Sequence, residues 1–459
     1  MMNSDQLYDE IVVGGGISGI LSALALGKHG KKVLLVEQEG CLGGNCRTYE
    51  PSEYPGWRVD TGIHAITELS SGPLIQMKEY FDPGKFPEFE AHGSYLIRGK
   101  NGVKKFPSTL KEFLKLDNIP TRDKIILAEK LLGSMMSRMV SAGKETSVYD
   151  LISKHNLDKR TIQFVDALSY LLSGLSMKKT SVSRFLDGCG FDYGSNAEFS
   201  EKLTGLWNLF VKNSEYDAQG YPKGGIQKIT DGAAESFPKN VEYHVEENVF
   251  SIKNESDVFF VSTSKGDYST KNVVYSGPVQ ALPKIIEMPK EWTDHVAKLE
   301  KATAMTIWYG LSKPLDEFNY NGSEVFFDAG DDEVFYWLMP VPELAPRGKG
   351  LIGVSTIINP NESGKYEKLL QNTLYSVVPG IKENIEMYHV QIMQPEKAAA
   401  SLTHFPGVET PVKGLYVVGT DTDMRSMGVT RAAYSVLELL KSKNLGNSTR
   451  RDKKNTVIS

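Results

Sequence analysis

Tyr8-Asp9-Glu10-Ile11-Val12-Val13-Gly14-Gly15-Gly16-Ile17-Ser18-Gly19 is the stretch that decides the fold. Its first six residues predict a strand apolar enough to be buried on both faces. Gly14, Gly16 and Gly19 make a G-x-G-x-x-G that runs into an apolar helical pattern stopping at Gly30. A second strand, Lys32 to Val36, ends in Glu37. A glycine motif between two strands, opening a helix and followed by an acid, predicts a dinucleotide-binding βαβ unit.

Each residue type has a reason. Gly14 permits the tight turn, Gly16 leaves room for a pyrophosphate, and Gly19 lets helix and strand pack closely. The helix start at Ile17 and Ser18 offers amide groups and a partial positive charge to phosphates. Glu37, with Gln38 beside it, stands where a carboxylate accepts from ribose hydroxyls and repels a 2′-phosphate, which disfavours NADP.

Two segments beyond Glu37 choose among dinucleotides. Residues 41–48 read Cys-Leu-Gly-Gly-Asn-Cys-Arg-Thr, and 59–64 read Val-Asp-Thr-Gly-Ile-His. Here the chain resembles the FAD-containing family of phytoene desaturases, protoporphyrinogen oxidases, amine oxidases and retinol saturases. In that family a G-G-[RK]-x-x-[ST] follows the ribose-binding acid and a D-x-G-x-H leads to the flavin. The resemblance implies Gly43 and Gly44 near the pyrophosphate and His64 near the isoalloxazine. Asn45 stands where many members have Arg, with Arg47 two residues on, so either is a candidate for the phosphates. Asn after the glycine pair is also similar to UDP-galactopyranose mutases.

Further along, 73–81 predicts a short helix, and 95–98 and 103–106 a hairpin around Gly99 to Gly102. Helices are expected at 108–116, 122–140, 147–155 and 158–175. The second is amphipathic, with Lys124, Lys130 and Arg138 flanking Ile, Leu and Met. It reads as a packed helix with solvated lysines, or as one lying on a membrane surface. Leu171 to Met177 has the small and apolar character of a cavity lining. Tyr221-Pro222-Lys223-Gly224-Gly225-Ile226, followed by helix to about Phe237, resembles the Y-P-x-G-G at which this family returns to its FAD domain. Tyr221 is a further candidate for the cavity. Strands are expected at 241–253, 257–264 and 272–276, with Val249 matching the residue that meets the adenine side through its backbone. A helix is expected at 279–285. Residues 300–394 read as a strand-rich insertion, with strands at 304–311, 324–328, 333–341, 350–358 and 386–393 and a helix at 364–377.

The chain closes with a buried strand, Gly414 to Gly419, a loop, and a helix from Val429 to Lys443. In the family this completes the flavin site. It implies cofactor contacts at Gly419, Asp421, Gly428, Val429 and Thr430. Asp421 is placed to accept from a ribityl hydroxyl. The helix start is placed to aim amides at the pyrimidine end of the ring, where negative charge collects on reduction.

With 459 residues, about two or three folding units are expected at roughly 150 residues each. A formal net charge of −5 argues against nucleic acid as a partner. The three cysteines, Cys41, Cys46 and Cys189, cannot form a disulfide framework. Cys41 and Cys46 read as small residues in a tight loop rather than a redox pair, and no metal site is expected. A first strand near residue 8 leaves no room for a signal peptide. The expected location is therefore cytoplasmic, with peripheral membrane contact if the substrate is apolar.

The fold class is α/β. The resemblance implies a three-layer, Rossmann-like FAD-binding domain (GR2-type) from 1–65, 221–285 and 405–445. An inserted α+β substrate domain, from 66–220 and 286–404, is expected to hold an antiparallel sheet and a helical region, and 446–459 is expected to be a disordered tail. The expected activity is hydride transfer between flavin N5 and an apolar, polyprenoid or carotenoid-like small molecule, by dehydrogenation or saturation. Oxygen, a quinone or a nicotinamide is the electron partner, and His64 is the one candidate catalytic side chain. An amine or protoporphyrinogen oxidase and a galactopyranose mutase-like isomerase are the alternatives.

Overall fold

The computed structural model describes residues 7–93, 95–99, 102–107, 109–117, 119–140, 145–188, 219–326 and 334–446. Cys189, the tail after 446 and the hairpin tip at 100–101 lie outside the described residues. The leading elements, in chain order, are β1 (Leu7–Val13), α1 (Ile17–Lys28), β2 (Val33–Val36), β3 (Tyr95–Gly99), β4 (Gly102–Lys105), α2 (Thr121–Val140) and α3 (Lys159–Ser173). After β5 (Val241–His244), preceded by α4 (Gln227–Glu235), come β6 (Val249–Glu255), β7 (Val258–Thr263) and β8 (Asp267–Tyr275). The remainder is β9 (Thr303–Leu311), β10 (Ser323–Phe326), β11 (Tyr336–Pro340), β12 (Gly350–Ile358), α5 (Ser363–Val377), β13 (Ile385–Met393), β14 (Leu415–Val417) and α6 (Gly428–Ser442).

Two sheets organise the molecule. The first runs β6-β7-β8-β1-β2-β5, with β14 also pairing with β8. Its centre is parallel, from β5 through β2 and β1 to β8 and β14, and β6, β7 and the start of β8 form an antiparallel meander. All four residues of β2 are buried, as parallel strands covered on both faces require. On one face α1, α4 and α6 supply a core that includes Leu21, Leu24, Ile229, Ala433 and Val436. On the other, Ile11, Leu34, Phe259 and Val273 pack with Leu282, Trp292 and Val296.

The second sheet runs β13-β9-β12-β11-β10-β3-β4. β9 lies inside it, and its alternation splits two environments. Met305, Ile307, Tyr309 and Leu311 pack with Leu370 and Leu374 of α5. Trp308 instead packs with Trp57, Ile63 and Tyr221 from the first glycine-rich region and the segment that returns to it. A helical region that includes Leu127, Phe164, Val165 and Phe185 forms its own core.

Three expectations are corrected. Residues 241–253 are not one strand: β5 pairs with β2 at one edge of the sheet, while β6 lies at the other. The cause lies between them. The amides of Glu246 and Glu247 donate to the carbonyls of Glu39 and Glu37 at 2.8 and 2.9 Å, and Glu246 adopts a φ of 53°. The second sheet is mixed rather than antiparallel, because β3 and β10 run parallel. A buried ion pair fastens them: Nε of Arg98 donates to both oxygens of Glu324 at 2.7 and 2.9 Å. Lys124 is not solvated. It is buried, and its Nζ donates to the Leu114 and Leu116 carbonyls at 2.7 and 2.8 Å, capping the helix at 110–114.

Removing one half of a buried pair leaves an uncompensated charge, at a cost of about 3–5 kcal/mol. Arg98→Met is therefore expected to lower the urea unfolding free energy by about that amount, and Arg98→Met with Glu324→Leu to recover most of it. Equal losses in the single and double variants would show that the pair does not hold β3 to β10.

Candidate functional site

One large cavity, of about 1000 Å³, runs from the first glycine loop to the second sheet. That is the upper end of the range for ligand pockets. Its first wall is the β1–α1 turn. Gly14 sits at φ 102°, a conformation that L side chains rarely adopt, and its amide donates to the Val36 carbonyl at 2.8 Å. A Cβ on Gly16 would meet nothing within 4 Å, so open space lies over the helix start, where a phosphate can approach. A Cβ on Gly19 would stand 1.9 Å from the Gly14 carbonyl oxygen, which explains that glycine by packing alone.

Glu37 and Gln38 lie on the same wall. One Glu37 oxygen accepts from the Gly15 amide at 2.5 Å and the other from the Glu39 amide at 2.8 Å. The loop and the acid are thus tied together, and the carboxylate is held at the cavity edge. The 43–44 backbone closes over the turn: the Gly43 amide donates to the Gly15 carbonyl at 2.8 Å, and a Cβ on Gly44 would stand 3.1 Å from Gly16 Cα. The extended groove past Ile17, Ser18, Gly44 and Asn45 to Glu37 fits a dinucleotide, as does the strand start at Val249 on the same wall.

At the other end, Gly428, Val429 and Thr430 of α6 face the cavity together with His64. His64 donates from Nε2 to the Thr61 carbonyl at 2.9 Å, which leaves Nδ1 as the ring nitrogen able to take a proton. Burial pushes its pKa below the ordinary value, against the pull of the Asp60 carboxylate. Asp60 accepts from Thr48 Oγ1 at 2.6 Å, from the Tyr221 hydroxyl at 2.5 Å and from the Ile226 amide at 3.2 Å.

Several candidates fall behind the wall. Gly43 and Gly19 shape the turn without lining the cavity, and Asn45 rather than Arg47 reaches the wall. The Asn45 side-chain amide donates to the Gln394 carbonyl at 2.8 Å, while Arg47 is half-buried elsewhere and its carbonyl accepts from Thr61. Tyr221 is spent on Asp60. Asp421 does not line the cavity either. It is fully buried, one oxygen accepts from the Val279 amide at 2.7 Å, and the other has no partner. Thr420 takes its place on the wall. Gly419 is accounted for by Lys397, whose Nζ would stand 2.3 Å from a Cβ there. Cys41 and Cys46 are both free, and burial pushes the Cys46 thiol up to about 12, away from any redox-active thiolate.

Sequence reasoning missed Glu396 and Lys397, which both line the cavity. Lys397 Nζ donates to the Val418 carbonyl at 3.0 Å and also to that of Ser276, and burial pushes its pKa down. Glu396 accepts from the Gly428 amide at 2.7 Å and from Arg431 at 2.8 Å. The signal was present: an isolated Glu-Lys pair between Pro395 and the run Ala398 to Ala400, a place where charge has no solvent-facing reason to be.

Comparison with known proteins agrees with this geometry. The profile of the family described as "Flavin containing amine oxidoreductase" matches residues 17–381. An all-trans-retinol 13,14-reductase from Rattus norvegicus is 34% identical over 113 residues, which cover 23% of this chain and 18% of that protein. The chain thus aligns with less than a fifth of that relative's length. The crystal structure of an oxidoreductase from Methanosarcina mazei superimposes with a TM-score of 0.74 at 20% identity, covering 94% of this chain and 99% of that one. Cyclohexylamine oxidase from Brevibacterium oxydans gives 0.69 at 15% identity, covering 95% and 99%.

Three outcomes are expected. Gly16→Ala should leave the stability of the cofactor-free protein within about 1 kcal/mol while weakening FAD binding by about 1–3 kcal/mol. Gly19→Ala should lower the melting temperature itself, because the added carbon meets backbone. Thermal melts with and without FAD separate the two. By NMR, His64 should titrate below 6.5; because its folded pKa is depressed, its stabilising contribution is present above that value and lost as pH falls. A midpoint at or above 6.5 would contradict the placement.

Proposed function

Since the chain belongs to the flavin-containing amine oxidoreductases, a family of FAD-dependent oxidoreductases, we propose that its substrate is an apolar, polyprenoid-like molecule, in the manner of the phytoene desaturases and retinol saturases. One observation carries the reading. The cavity wall contributed by α3 and the second sheet, including Tyr170, Leu171, Ala304, Phe335, Trp337 and Ile357, holds no charged side chain among the described residues. Its serine and threonine hydroxyls are already satisfied. Thr306 donates to Ser355 at 3.0 Å, Ser355 to the Met305 carbonyl at 3.2 Å, and Thr356 to the Phe335 carbonyl at 2.6 Å. Such a wall gains about 0.8 kcal/mol for each buried methylene and offers little to a polar ligand.

FAD supplies the hydride acceptor or donor. The chain's own part is to hold a substrate carbon about 3–3.5 Å from the reacting atom and to exclude water. Neutral His64, its Nε2–H committed to Thr61, takes up a proton at Nδ1 in dehydrogenation and, once protonated, gives it back in saturation. Dehydrogenation and saturation are the two directions of the same arrangement. Oxygen, a quinone or a nicotinamide balances the electrons. No helix among the described residues is long and apolar enough to cross a membrane. Delivery of an apolar substrate from a membrane surface, across exposed Ile125 and Met136 of α2, belongs to the same proposal.

Amine oxidation is the second reading, favoured by three aromatic side chains, Tyr170, Phe335 and Trp337, on the wall. A nucleotide-sugar mutase is disfavoured, because no arginine is among the described lining residues to hold a second pyrophosphate. The visible spectrum of the FAD-loaded protein under anaerobic conditions decides. All-trans-retinol or a carotenoid is expected to reoxidise the reduced flavin or bleach the oxidised one, and putrescine to do neither. Bleaching by the amine alone would move the assignment to amine oxidation.

A further inference from the structure

The N-terminal turn of α6 faces the cavity, and its first amide is already taken. Glu396, on the wall with its side chain 11% exposed, binds that amide with one oxygen and Nη1 of Arg431 with the other. Arg431 is fully buried and held on every side: Nη2 donates to the Ser426 carbonyl at 2.6 Å, Nε to the Arg425 carbonyl at 3.2 Å, and Nη1 also to that of Thr420 at 3.3 Å. It does not line the cavity. The ion pair therefore points its negative member at the cavity and keeps its positive member behind the wall.

We infer that Glu396 is a fixed carboxylate that sets the reduction potential of the bound flavin. An uncapped helix terminus presents about half a positive charge. A full negative charge on its first amide more than cancels this at the wall, Arg431 compensates only from farther back, and the neighbouring Lys397 is committed to the Ser276 and Val418 carbonyls with buried Asp421 as its counter-charge. Negative charge collects at the pyrimidine edge of a flavin on reduction, so Glu396 opposes reduction where a bare helix start would assist it. The flavin is thereby a poorer electron acceptor and a better hydride donor, which favours saturation of the substrate over its dehydrogenation. Pre-organisation is complete before any ligand arrives, because carboxylate, amide and guanidinium already satisfy one another. The inference rests on the proposed flavin chemistry and on that edge lying at α6, as the family resemblance implies.

The test is the midpoint potential of the FAD-loaded protein, by equilibration with redox dyes. Glu396→Gln keeps an acceptor for the Gly428 amide and removes the charge. It is expected to raise the ratio of reduced to oxidised flavin at a given potential by about tenfold, ~30 mV for a two-electron couple. Glu396→Asp keeps the charge for Arg431 while withdrawing it by one methylene. It is expected to retain FAD and to shift the ratio the same way by a smaller factor, so it decides the matter should the Gln variant not fold. Full FAD occupancy with an unchanged or lowered ratio would overturn the inference and leave the proposed substrate class standing. Failure of the wild-type protein to take up FAD would overturn the cofactor placement on which both rest.

Discussion

The buried carboxylate of Asp60 is the point on which the site depends. Three donors from distant parts of the chain converge on it: Thr48, Tyr221 and the Ile226 amide. Burial raises its pKa, and nearby His64 and the donors offset only part of that rise. The hydrogen bonds tie the second glycine-rich segment to the first, so the helical excursion between them begins and ends at one place. His64, four residues beyond Asp60, takes its position at the cavity from the same junction. On the other side of that junction, Trp57 and Ile63 pack against Trp308, which joins the second sheet to the nucleotide-binding region.

A division of labour results. The parallel sheet and α1 fix a groove with free amides and an anchored acid. The second sheet and α3 supply a lining whose serine and threonine hydroxyls are internally paired. Between them sit the few ionisable side chains at the reacting end, His64, Glu396 and Lys397, each held by backbone or by a buried partner. None of the three depends on a ligand for its position.

The βαβ unit was legible in the sequence because its information is local: three glycines, an acid and two apolar runs in one short stretch. The strands of the insertion were legible for the same reason, since β9, β12 and β13 are long and bounded by turns. What was not legible depends on partners far along the chain. Arg98 does not announce that it will meet Glu324 and turn β3 parallel to β10. Residues 241–253 look like one strand until the carbonyls of Glu37 and Glu39 capture the amides at 246 and 247. Asp421 has the residue type expected of a ribityl partner. Its side chain is instead drawn to the Val279 amide, which no motif encodes.

The pairing of β14 with β8 carries a consequence for how the molecule comes into being. The first sheet takes its strands from residues 7–13 and from 415–417, and the second is not complete until 393. At about 5–20 residues per second, some 20–80 s of synthesis separate the first strand from the last. Throughout that interval the apolar β1–α1–β2 unit lacks α6, which covers α1 and closes its core. The nascent chain must carry exposed Leu and Ile side chains for most of its time on the ribosome. Completion of the first sheet thus waits on the last part of the chain, and a topology of this kind is exposed to aggregation until then.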